Sequence, residues 1–281
     1  MAVDAFRMAV LADVHLAVEP SSELGAEFGY TAELLRDAVQ RIWPMNVDQL
    51  TVVGDLVDRG TPAEYELARQ IFEDLTLPIH TIPGNHEFIR GTSSDFLNHC
   101  VGATMGAAEF DNEMSILWIN SGIQNMENRY WHGRVDPLGL ELIDRATAEH
   151  PDKPLIVFCH HPPEGTVLVP AHPMMNLINS DELMGRLQRH PSPVVLFCGH
   201  THVQDIWRRR NLTIVGCPPL SFWPHAFLTL EIRDGWLHLN THRLIDSPDA
   251  SPDIHMSNPA YLPEREPSFL RIAFRIGAPC V

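Results

Sequence analysis

Short runs of Val, Ile, Leu and Phe, closed off by Pro, Gly or Asp, recur along the chain: Met8 to Leu11, Leu50 to Val53, Ile79 to Ile82, Ser115 to Ile119, Leu155 to Cys159 and Val194 to Cys198. Short, mostly apolar runs of this length predict buried strands. Between them the apolar period changes to that of a helix. Ala32 to Trp43 puts Leu35, Ala38, Val39 and Ile42 on one face, and Ala63 to Leu75 does the same with Leu67, Ala68, Ile71, Phe72 and Leu75. Thr61-Pro62-Ala63-Glu64 supplies an N-cap hydroxyl, a proline at the first helical position and a glutamate three residues after the cap. Asp136-Pro137 and Ser180 predict two further starts, for helices over Leu138 to Ala148 and Asp181 to Gln188.

This alternation of strand and helix gives way to strands alone at Leu212 to Val215, Ala226 to Ile232 and Trp236 to Asn240, the last two joined by a tight turn at Asp234-Gly235. The expected class is layered α/β with a late β-rich portion. Residues 1–245 then form one domain and 246–281 an extension. From Ser247 to Pro267 five prolines predict an irregular segment, after which Phe269 to Ile276 is a last apolar run, packed home or against another copy of the chain in a homo-oligomer. The stretch from Gly91 to Glu109 carries no legible motif.

The apolar runs fall far short of the roughly 20 residues of a membrane span. Arg7 interrupts the N-terminal apolar stretch and Asp4 precedes it, a pattern wrong for a secretory signal. Five cysteines, an odd number without close pairing, imply no disulfide framework, so a cytoplasmic protein is expected. A net charge of −16 disfavours nucleic acid and anionic membranes as partners. The compositional anomaly is 16 histidines against 20 Lys and Arg, several of them beside Gly, Asp or another His.

Those histidines fall where an α/β sheet gathers its ligands. Asp13 and His15, Asp55 and Asp58, Asn85 and His86, His160, and His200 and His202 each follow a predicted strand within a few residues. Taken singly, each element also reads as turn chemistry: an aspartate bonding nearby amides, or a strand stopped by Pro162-Pro163. Together they form a set of mixed nitrogen and oxygen donors, a chemistry suited to transition metals such as Mn, Fe or Zn rather than Mg or Ca.

The ordered set Asp13-Val14-His15, Gly54-Asp55-Leu56-Val57-Asp58, Gly84-Asn85-His86-Glu87, His160 after an apolar run and Gly199-His200-Thr201-His202 resembles the calcineurin-like metallophosphoesterase superfamily. The stretch from Gly54 through Glu87, with His160-His161-Pro162-Pro163, is similar to its cyclic-nucleotide and glycerophosphodiester phosphodiesterase branch. The resemblance implies an αββα sandwich of two mixed sheets flanked by helices. It also implies two metal ions: Asp13, His15, Asp55 and His202 would hold one, and Asp55, Asn85, His160 and His200 the other, with the Asp55 carboxylate bridging. His86 would serve the phosphoryl group or leaving oxygen as the catalytic histidine, and Asp58 would orient the ligands. The implied activity is hydrolysis of a small phosphodiester by metal-activated hydroxide.

Phosphomonoesters or phosphoproteins remain alternative substrates, because Gly54 to Gly60 and Gly84 to Glu87 also resemble protein phosphatases, whereas the segments around His160 and His200 depart from them. A nuclease would have to overcome the negative charge. A non-catalytic scaffold of the same fold would be expected to lose ligands or His86, and here every such position is filled. Asn120-Ser121-Gly122 stands where relatives often carry an aspartate. His161, His172 and His225 have no assigned role, Phe222-Trp223-Pro224 is expected to pack rather than to stack on a base, Arg59 to pair with Asp58, and Arg208-Arg209-Arg210 to form a solvated turn.

Overall fold

The computed structural model describes residues 5–18, 30–110, 113–124, 131–167, 176–244 and 272–275. In chain order the strands and helices are β1 (Phe6–Leu11), α1 (Thr31–Ile42), β2 (Gln49–Val53), α2 (Pro62–Ile71), β3 (Ile79–Ile82), α3 (Ser93–His99), β4 (Gly106–Phe110), β5 (Ser115–Ile119), α4 (Pro137–Glu149), β6 (Leu155–Phe158), α5 (Ser180–Leu187), β7 (Val194–Cys198), β8 (Asp205–Arg209), β9 (Leu212–Gly216), β10 (Ala226–Arg233), β11 (Trp236–Arg243) and β12 (Ile272–Arg275).

The strands form two six-stranded sheets, ordered β12-β11-β10-β1-β2-β3 and β4-β5-β6-β7-β9-β8. Both are mixed. β1, β2 and β3 run parallel in the first, and β5, β6, β7 and β9 in the second, with antiparallel strands completing the edges.

Side-chain alternation along the central strands feeds two different cores, which is why the sequence shows unbroken apolar runs. Met8 and Val10 of β1 face the second sheet, with Ile156 and Phe158 of β6 and Val195 and Phe197 of β7. Ala9 and Leu11 face the other way, onto Leu35, Ala38 and Ile42 of α1 and Tyr65 and Ala68 of α2. Leu155 and Val157 likewise turn from the second sheet to Ile143 of α4 and Leu183 and Leu187 of α5. The result is the expected αββα sandwich. Between the sheets, the rings of Trp118, Phe158 and Phe197 stack in series at 6.1 and 5.1 Å. The Trp118 indole N–H donates across the seam to Thr51 Oγ1 at 3.0 Å, satisfying its buried donor.

Helix starts follow their caps. Thr61 and Glu64 form the anticipated capping box of α2, and Asp136 Oδ1 accepts from Gly139 N at 2.8 Å to open α4. At α5 the cap differs from expectation: Asn179 occupies it, and Ser180 is the first helical residue, its hydroxyl donating to Leu177 O at 2.7 Å. The stretch from Gly91 to Glu109 holds α3 and β4. Arg208 and Arg209 belong to edge strand β8 rather than to a turn; only Arg210 and Asn211 turn, with Arg210 at φ +57°. Asp234 and Gly235 turn between β10 and β11 at φ +52° and +73°, the left-handed pair that such hairpins require. Of the C-terminal region, Ile272–Arg275 adds β12 to the edge of the first sheet, antiparallel to β11. Ser247 to Pro267 and His172 lie outside the described residues. No described helix is long and apolar enough to cross a membrane.

Candidate metal centre

The site forms where the carboxyl ends of β1, β2 and β3 in one sheet meet those of β6 and β7 in the other. The loops after β1 and β2 are clasped to each other: Val14 N and His15 N both donate to Asp55 O at 2.9 Å, and Asp58 N donates to Leu16 O at 3.1 Å. The loop after β7 is tied in by Gly199 N, donating to His160 O at 3.0 Å, and by His200 N, donating to Asp13 Oδ1 at 2.8 Å.

These turns are tight enough to force the left-handed backbone region on side-chain-bearing residues. Asp13 (φ +51°), His15 (+47°), Asp55 (+50°), His200 (+68°) and His202 (+53°) all occupy it. Such residues cost of order 1–3 kcal/mol each and collect at functional sites. The neighbouring glycines are there for space. A Cβ on Gly84 would overlap Asp55 Oδ1 and His160 Nε2, and one on Gly199 would stand 2.8 Å from Asp13 Oδ2.

One donor atom from each of Asp13, His15, Asp55 and His202 lies within 4.8 Å of the others, and the same holds for His160, His161 and His200, and for His15, Asp58 and His86. Asp55 Oδ2 connects the sets, 3.9 Å from His15 Nε2 and 3.2 Å from His160 Nε2. His15 and His202 approach Nε2 to Nε2 at 3.1 Å, and His202 Nε2 stands 3.4 Å from Asp13 Oδ1. Asn85, buried, sits between Gly84, which abuts Asp55 and His160, and His86, whose backbone N–H donates to Asp55 Oδ1 at 2.9 Å. The structure therefore brings the seven expected ligands, with Asp58 and His86, into one region.

The donors fit metal ions. Asp13 Oδ2, both amide atoms of Asn85 and the Nε2 atoms of His161 and His200 are buried without a hydrogen-bond partner among the described residues, an unusual density of unmet polar atoms. His160 Nδ1 donates to Val53 O at 2.8 Å, which orients the ring and turns Nε2 toward Asp55. Burial, and then the charges of nearby histidines, hold His15 and His200 well below the usual imidazole range, in the neutral form that ligates. Burial alone would raise Asp55, but His160 and His86 outweigh it and keep its carboxyl well below the usual range. Burial would equally depress His86 and His160; Asp55, joined at His86 by Asp58, lifts both to about 9. The carboxylates thus concentrate positive charge at their own position.

Several supporting residues were not apparent from the motifs. Glu87 is fully buried beneath the site and accepts from Asp55 N, Val57 N and Gly84 N at 3.0, 3.2 and 2.6 Å, pinning two ligand loops with one carboxylate. Burial, reinforced by Asp55, raises it to about 7. Phe222 does pack, but against ligands: its ring stacks on His202 at 4.4 Å and meets His15 edge-on at 5.6 Å. Arg59 Nε reaches Asp58 Oδ2 at 3.4 Å, as expected. His225 Nδ1 donates to Leu220 O at 3.1 Å, a structural bond. The Asn120 to Gly122 loop turns out to serve His161 through Ser121 Oγ, 2.9 Å from its Nδ1.

A family model for calcineurin-like phosphoesterases matches residues 6–204, which contain every one of these side chains except Phe222 and His225. The chain belongs to that family. Glycerophosphodiester phosphodiesterase GpdQ of Enterobacter lignolyticus is 31% identical to this phosphoesterase over 185 residues, 61% of this chain and 62% of that enzyme. The 3′,5′-cyclic adenosine monophosphate phosphodiesterase CpdA of Escherichia coli K12 is 27% identical over 259 residues, 86% of this chain and 90% of that one. Among solved structures, a dimetal phosphatase from Danio rerio superposes with a TM-score of 0.72 at 16% identity, covering 85% of the phosphoesterase and 96% of that chain. At that identity the likeness is one of fold.

Proposed function

We propose that this phosphoesterase is a two-metal phosphodiesterase acting on a small phosphodiester, a 3′,5′-cyclic nucleotide or a glycerophosphodiester. The observation that carries the reading is the position of Asp55, whose Oδ2 faces His15 on one side and His160 on the other. Asp13, His15, Asp55 and His202 would hold one ion, and Asp55, Asn85, His160 and His200 the second, with Mn, Fe or Zn the metals these donors suit. Bound there, the ions supply Lewis acidity, a water deprotonated near neutral pH and neutralisation of phosphate charge.

The chain's own contribution centres on His86. Its Nδ1 donates to the Asp58 carbonyl at 2.7 Å and lies 3.4 Å from Asp58 Oδ1, so the ring is oriented and Nε2 is the nitrogen left for chemistry. The Asp58 carboxylate beside it favours the protonated form, in which His86 would hydrogen-bond a phosphoryl oxygen and hand a proton to the departing alkoxide. The choice of diester rests on the names of the two relatives, one a glycerophosphodiesterase and one a cyclic-nucleotide enzyme. A cytoplasmic setting is consistent with Cys100, Cys159, Cys198 and Cys217, which are buried free thiols.

The test is metal-stripped protein reloaded with Mn, Fe or Zn and offered cyclic AMP, a glycerophosphodiester, bis(p-nitrophenyl) phosphate and a phosphomonoester. Diester hydrolysis that requires two equivalents of metal is the expected result. A preference for the monoester, or no hydrolysis by two-metal protein, overturns it. His86→Ala should lower kcat about 10²- to 10⁴-fold while metal content stays at two; an unchanged rate removes His86 from the reaction.

A further inference from the structure

His161 is the polar group that the reading above leaves unused. It is fully buried, and its Nε2 has no hydrogen-bond partner among the described residues, a costly arrangement for a desolvated imidazole nitrogen. The ring is confined, because any Cβ on Gly133 would overlap it. It lies 4.8 Å from the His160 ring and 4.4 Å from that of His200, centroid to centroid, and one of its nitrogens falls within 4.8 Å of the ligand atoms of both.

Its other nitrogen is accounted for by Ser121. Ser121 Oγ lies 2.9 Å from His161 Nδ1 and also accepts the His161 backbone N–H at 3.2 Å. Cys159 Sγ donates to His161 O at 3.6 Å, holding the same backbone from the other side. Oγ has a second lone pair able to accept Nδ1–H, the tautomer in which Nε2 keeps its own lone pair. A carboxylate or carbonyl on the second nitrogen is how a ligating histidine is ordinarily oriented; here a serine performs that task.

We propose that His161 Nε2 is an additional donor to the ion assigned to Asp55, Asn85, His160 and His200, aimed by Ser121. This rests on the two-ion reading. It gives that ion three imidazoles, against two for its neighbour, and so makes it the softer of the two positions.

The first measurement needs no substrate. Stripped protein is titrated with Co²⁺ against a competing chelator, and the cobalt-loaded form is examined by NMR for paramagnetically shifted, exchangeable imidazole N–H signals. His161→Gln should lose one such signal and weaken the second ion about 10- to 100-fold while sparing the first. Ser121→Ala retains every ligand and should move the same signal and weaken the same ion to a smaller degree; it decides the matter if His161→Gln does not fold. Wild-type affinities with a full set of shifted signals in either variant overturn the proposal. So does a raised KM with unchanged ion binding, which would make His161 a substrate contact. A chain that binds two ions through His161 yet hydrolyses no diester refutes the activity and leaves this assignment standing; active protein whose His161→Gln form has the wild-type cobalt spectrum does the reverse.

Discussion

At the scale of single residues, the centre depends on one carboxylate that is not itself a ligand candidate. Glu87 receives three backbone N–H groups from the Asp55 and Gly84 loops while wholly buried. Glu87→Gln keeps the shape but turns an amide NH₂ toward at least one of those donors, leaving a buried N–H unpaired at about 1–3 kcal/mol. Thermal melting of stripped protein should fall accordingly, and metal affinity with it; a variant with wild-type melting and affinity would show that the pin is dispensable. The ligand types themselves were legible in the sequence, because Asp, Asn and His after apolar runs are conspicuous. Glu87 was visible as a motif letter but not as a strut, since its function lies in backbone groups that no side-chain pattern encodes. The left-handed φ of Asp13, His15, Asp55, His200 and His202 was hidden for the same reason. The one available hint was the glycine immediately before Asp55 and His200.

Elements were readable where they are long or buried on both faces. β1, β2, β3, β5, β6 and β7, with four of the five helices among the described residues, fall on the predicted stretches to within a few residues. α3 escaped because only Phe96 of its seven residues is buried, too little for an apolar period, although Thr92 and Asp95 form a capping box that was there to be found. β4 escaped because Gly106, Ala107 and Ala108 are poor strand formers at a half-exposed edge, and β8 because Arg208 and Arg209 face solvent on another edge. Capping also connects element to site at α2. Glu64 Oε2 accepts from Thr61 N at 2.9 Å and Arg59 N at 3.2 Å, so the helix start closes the loop that carries Asp55 and Asp58. Thr61→Ala should cost about 1 kcal/mol, a drop in Tm of roughly 2–4 °C, with metal content unchanged. Loss of metal in that variant would mean that the cap also shapes the ligand loop.

For the whole molecule, the informative feature is that the centre straddles the seam of the sandwich. Asp13, His15, Asp55 and Asn85 hang from the first sheet and His160, His200 and His202 from the second, above the Trp118–Thr51 bond that crosses between them. Any ion held by both groups therefore binds the assembled molecule and not its separated halves, which couples occupancy to folding. Saturating metal at 100 times its dissociation constant should stabilise the chain by about 2.7 kcal/mol. A chelator should therefore lower Tm and hasten amide exchange at the adjoining ends of β2 and β6; identical melting with and without metal would show that the two sheets do not share the ions. The centre is then a buckle as well as a reactor, and metal starvation would thin the population of intact molecules before any question of turnover arose.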